Sequence, residues 1–101
     1  MLSTPTKALA HLPLPTGADV VKFDPGLGRI YAASSSGFVA VFQAQDADHY
    51  RKLEDFPVQK KVHSLAVDTG THHLYAPEQQ ENDQPVARVV IYEAVTQARQ
   101  R

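Results

Sequence analysis

The side chains able to do chemistry gather in two stretches, Lys60-Lys61-Val62-His63 and Glu78-Gln79-Gln80-Glu81-Asn82-Asp83. His63 with Glu78 or Asp83 could supply a general base, and Lys60 an electrophile, the minimum set for hydrolysing a carbonyl substrate. These four are the candidate site residues. No nucleophile elbow and no triad spacing accompanies them, so a solvated polar rim is the plainer expectation. The five histidines, His11, His49, His63, His72 and His73, show no H-x3-H or HExxH spacing, and His72 and His73 as strand neighbours point to opposite faces. Solvent-facing histidines, no metal site and no cofactor are therefore expected. With no cysteine, disulfides, thiolate metal sites, Fe–S clusters and a thiol nucleophile are excluded together.

The elements that must carry these residues come in two copies. Val20 to Ser34, VVKFDPGLGRIYAAS, returns as Ser64 to Glu78, SLAVDTGTHHLYAPE. Asp24 and Asp68, Gly26 and Gly70, and Tyr31 and Tyr75 each stand 44 residues apart. Each copy reads as an apolar strand, a turn on Asp-Pro-Gly or Asp-Thr-Gly, and a second apolar strand. Asp24 and Asp68 thus read as turn-capping residues rather than an acid–base pair, and Tyr31 and Tyr75 as packing residues.

The copies extend in both directions. Lys7 to Leu14 reads as an edge-type strand broken by Pro13, and its Leu9, Leu12, Pro13 and Leu14 match Leu53, Phe56, Pro57 and Val58. Phe38 to Ala44 is a further strand and Tyr50 to Val58 closes the unit. In the second copy Val62 to Val67 and His72 to Ala76 are the expected strands. Pro77 to Pro85 then reads as a longer polar loop with a six-residue insertion, which changes the offset to 50 before the strand Val86 to Ala94. The arrangement is residues 1–6 frayed, 7–94 one domain of two units (about 7–49 and 50–94), and 95–101 a polar tail that frays or forms a short helix.

Strands repeating at this period are the signature of propeller blades. With strands A to D numbered from the inside outward, the chain runs D-A-B-C-D-A-B-C. The expected fold class is all-β: two four-stranded antiparallel blades in permuted order. A plain β-sandwich would not require the repeat, and only the terminal EAVTQARQ has helix-friendly composition. Propellers close with typically about four to eight blades, so the protein is expected to belong to a longer propeller, to self-assemble, or to stand as an open pair of sheets. Three copies give six blades, each leading strand completing a neighbour's last blade.

GRIYAAS and HHLYAPE, each after an apolar strand and an Asp/Pro/Gly turn, resemble the YVTN family of β-propeller repeats over roughly residues 7 to 94. Ser34 and Glu78 stand where that fingerprint has Asn, and Ala32 and Ala76 where it has Val. The resemblance implies a propeller scaffold or protein-interaction module. As its runner-up it implies a lactonase-like hydrolase with a site on the loops at one mouth: Thr16, Asp19 and Ser34 to Ser36 from one unit, Lys60, Lys61, His63, Glu78, Glu81, Asn82 and Asp83 from the other.

Bulk properties bound the partners. The chain has 101 residues, 43% of them apolar, and a net charge of −1. Arg51-Lys52 and Lys60-Lys61 are interrupted by Glu54 and Asp55, so no basic stripe for nucleic acid is expected. No apolar run reaches the roughly 20 residues that span a bilayer. The first residues, as written, lack the apolar core of a secretory signal. The expected partner is protein, with no nucleic acid and no membrane.

Overall fold

The computed structural model describes residues 6–46, 48–60, 62 and 64–95. They form an all-β structure of two antiparallel sheets. The first has four strands in sequence order, β1 (Ala18–Asp24), β2 (Arg29–Ser34), β3 (Phe38–Asp46) and β4 (His49–Pro57). The second has three, β5 (Ala66–Asp68), β6 (His73–Glu81) and β7 (Gln84–Glu93).

The repeated turns are built alike, and their residue types explain why. The Asp24 carboxylate accepts the Gly26 amide at 3.0 Å, and the Gly28 amide donates to the Asp24 carbonyl at 2.8 Å. In the second copy Asp68 accepts from Gly70 at 2.8 Å and Thr71 at 3.2 Å, and the His72 amide donates to the Asp68 carbonyl. An Asp side chain folded back on the following amides is what makes this residue a turn former. Each turn closes on a left-handed residue, Gly28 at φ 69° and His72 at φ 65°.

Alternation along the strands gives each sheet two apolar faces. Tyr31, Ala33, Val39 and Val41 of the first sheet pack with Leu74 and Ala76 of the second, and with Val62 and Leu65 from the connection between sheets. Phe56 and Tyr92 meet across this core at 4.9 Å between ring centroids, tilted by 54°. The opposite face of the first sheet buries Ala32, Ala40 and Phe42 beneath Leu12.

Three expectations are corrected. Lys7 to Leu14 is not a strand; it pairs with none of the sheet edges, β7's included, and contributes Leu12 as a cover over the first sheet instead. In place of Val62 to Val67, only Ala66–Asp68 is extended and paired among the described residues, while Val62 and Leu65 still bury their side chains. Pro77 to Pro85 is not a loop. β6 runs on to Glu81, reverses at Asn82 and Asp83 (φ 51° and 67°), and returns as β7 from Gln84. Two successive left-handed residues form the primed turn whose twist suits a hairpin, and Asn and Asp tolerate it. Because Lys7 to Leu14 does not pair with β7, the second sheet has three strands rather than four among the described residues. Residues 96–101 of the expected tail, and 1–5 of the frayed start, lie outside the described residues.

Candidate functional site

Of the four candidate residues, the fold brings two together. Lys60, in the connection after β4, and Asp83, in the β6–β7 turn, line one open cleft of about 480 Å³ with Gln59, Gln80, Asn82 and Gly37. The Asn82 amide donates to Gln59 Oε1 at 3.4 Å and so ties the hairpin tip to that connection. Both Lys60 and Asp83 are exposed. The cleft also takes in Phe38, Pro57 and Val58, so among the described residues amides, the Lys60 amine and the Asp83 carboxylate stand beside apolar side chains.

Glu78 is not part of that rim. It sits within β6 directly opposite Arg88 of β7, buried, and accepts from Arg88 Nε at 2.8 Å. Arg88 Nη2 reaches Glu81 at 3.0 Å. Donating to Glu78 and then to Glu81 raises the Arg88 pKa above its usual range. A carboxylate neutralised in this way is a structural ion pair across a hairpin. Tyr92 shares that inward face; its pKa is raised by burial and then by the Glu78 charge. His63 and Lys61 lie outside the described residues, so the His63–Glu78 combination has one member placed, and that member is paired elsewhere.

The serine-rich turn is structural too. Ser34 is buried, donates its hydroxyl to the Thr16 carbonyl at 2.5 Å and accepts the Ser36 amide at 3.1 Å. Ser35 N donates to the Gly17 carbonyl at 3.1 Å. These bonds fasten the β2–β3 turn to the turn that leads into β1. Asp19 is exposed.

Sequence reasoning missed the contact between Asp24 and His72. Asp24 has no exposed surface, and its Oδ2 lies 2.7 Å from His72 Nδ1, joining the β1–β2 turn to the β5–β6 turn across the two sheets. Gly26 makes room for the ring, since a Cβ there would stand 2.6 Å from His72 Cε1. One signal was available: His72 occupies the position that Gly28 holds in the first copy, and a side chain kept at a left-handed position asks for a reason.

Two other groupings offer less. Asp46, Asp48 and His49 meet at the exposed β3–β4 turn, but His49 Nδ1 already lies 2.7 Å from Asp46 and 3.1 Å from Asp48. The His49 hydrogen bond is also the main reason the Asp46 pKa is lowered. A cleft of about 470 Å³ between the sheets is lined by Tyr31, Val41, Leu53, Phe56, Leu74 and Tyr92. At its rim Arg29 donates to Gln43 Oε1 at 3.2 Å and to the Val95 carbonyl at 2.8 Å, so this guanidinium is spent on holding the end of β7 against the first sheet. No protein-family model, curated protein or solved structure matches the chain.

Proposed function

We propose that the protein is a non-catalytic scaffold or interaction module of the propeller type, built from two YVTN-like units, which works by joining further protein at its open sheet faces. The supporting observation is that both outward faces carry exposed apolar side chains. Val21 (58% exposed) and Phe23 (52%) lie on the outside of the first sheet, and Val89 (54%) and Ile91 (55%) on the outside of the second. Apolar surface left at two opposite faces marks sites of association rather than a finished monomer. The partner is supplied either by further blades of a longer polypeptide or by other copies of this chain. Light scattering tests the second source on the 101-residue chain. The expected result is a mass above the 11.1 kDa of one chain, which Ile91→Glu lowers toward one chain. A wild-type protein that stays a monomer across micromolar to millimolar concentration overturns self-association.

One observation favours the lactonase-like reading: Lys60 and Asp83 share a cleft. Against it, Glu78 is held by Arg88. Lactone hydrolysis by the wild-type chain, abolished in Lys60→Ala and Asp83→Ala, would replace the scaffold reading.

A further inference from the structure

Four strands make the first sheet and three the second, and the difference falls at β7. β3 pairs with β2 on one side and β4 on the other, whereas β7 pairs only with β6 among the described strands. The sequence equivalent of β4, 44 residues earlier, is the segment from Lys7 to Leu14, which here forms no strand and leaves Leu9 and Leu14 exposed.

The faces correspond as well as the edge. Tyr31, Ala33, Val39 and Val41, which receive the second sheet, have as their counterparts Tyr75, Pro77, Val89 and Ile91, on the second sheet's outer side. Leu74, Ala76 and Tyr92, which pack against them, have as counterparts Ile30, Ala32 and Phe42, on the first sheet's outer side. The interface that already exists inside the chain is thus written a second time on its two outer surfaces. A second copy can satisfy both halves with a single placement.

We infer that a second copy of this chain docks head to tail, its residues 7–14 pairing with β7 as a fourth strand and its first sheet covering the outer face of the second. This rests on the proposed scaffold function and names its partner. The observed β3–β4 register, Val39 opposite Phe56 and Val41 opposite Glu54, transfers to Val89 opposite Leu12 and Ile91 opposite Ala10. The pair Gln43 opposite Arg51 becomes Glu93 opposite Lys7, an opposite-charge pair that supports this register. Leu12, which covers Ala32, Ala40 and Phe42 within its own chain, leaves that face on docking. The neighbour's Tyr75, Pro77, Val89 and Ile91 take its place. The contact is heterologous, so repeating it closes a ring or extends a filament according to its rotation.

The absence of cysteine makes the register directly readable. Full-length Leu12→Cys and full-length Val89→Cys are expressed separately, mixed and mildly oxidised, and the products are weighed by non-reducing mass spectrometry. Directly opposed strand residues have Cα atoms within disulfide reach. The mixed L12C–V89C dimer is therefore expected to exceed either homodimer and the out-of-register L9C–V89C control by about tenfold or more. Ala10→Cys with Ile91→Cys repeats the test at an independent pair. If the wild type is oligomeric but neither in-register pair exceeds the control, the strand exchange is overturned and the scaffold function stands with another geometry. If the wild type is a monomer at every concentration, both self-association and the exchange fall.

Discussion

Asp24 and Asp68 hold the same place in the repeat and have come to do different work. Asp68 is an exposed turn cap, and the amides of Gly70 and then Thr71 hold its carboxyl below the usual 3.8. Its charged form is therefore favoured by folding: the contribution is complete above the ordinary carboxylate value and is lost as pH falls through the depressed folded value. Asp68→Asn should flatten the acid limb of a stability–pH curve below about pH 4, and thermal melts from pH 2 to 7 would show it. Asp24 carries the same cap and in addition meets His72 while fully buried. Removing it takes the shared acceptor from both the Gly26 amide and the His72 ring, so Asp24→Ala is expected to cost about 2 kcal/mol, clearly more than Asp68→Ala does. Equal losses in urea titrations would show that the contact across the sheets contributes nothing. The capping role was legible because Asp followed by Gly two residues later has a local mechanism. The histidine contact was not, because its partners are 48 residues apart and meet only once the two sheets are packed.

At the scale of elements, the hairpin of β6 and β7 decides the fate of the candidate site. PEQQENDQP looks like a loop because it is polar throughout, yet every residue from Pro77 to Glu81 is in β6. The insertion lengthens the hairpin, with one shift of register between Glu78 and Gln80, and Glu78 moves from a rim position into an ion pair. Polarity failed as a loop signal because Glu78 and Arg88 satisfy one another from opposite strands; the Asn82-Asp83 dipeptide was the usable clue. Arg88→Met leaves the buried Glu78 carboxylate without its partner and should destabilise more than Glu78→Gln does. Asp83→Gly removes a side chain from a left-handed position and should stabilise by about 0.5 kcal/mol. Both are measured by denaturant melts, and a destabilised Asp83→Gly would count against the turn geometry. The reverse error, Lys7 to Leu14 read as a strand, has a related cause: the pattern records what a segment can pair as, while a strand exists only beside a partner.

At the scale of the whole molecule, the repeat made two antiparallel sheets of like strand order legible, with the first hairpin of each where the Asp-Gly turns placed it. Period alone could not say what would cover the outer faces, since coverage depends on which surfaces meet. The contact between the sheets makes that question testable without an identified ligand. Within the chain it includes Asp24 opposite His72. In the head-to-tail contact the corresponding residues are Asp68 of one copy and Gly28 of the next, so the inter-copy version of the joint lacks its imidazole. Gly28→His would restore it. Gly28 shares the backbone conformation that His72 already adopts, with φ 69° against 65°. A Cβ at Gly28 would meet Gln43 and Ala44 no closer than 3.4 Å. The left-handed side chain strains the free chain and the assembled one alike and so cancels from association, and the hydrogen bond to a charged acceptor should tighten self-association by about tenfold or more. The gain should disappear in Gly28→His with Asp68→Ala, because the new histidine then faces no carboxylate. Sedimentation velocity on the wild type and the single and double variants reads all these terms. If Gly28→His tightens association equally with or without Asp68, the two turns do not meet and the head-to-tail geometry is wrong.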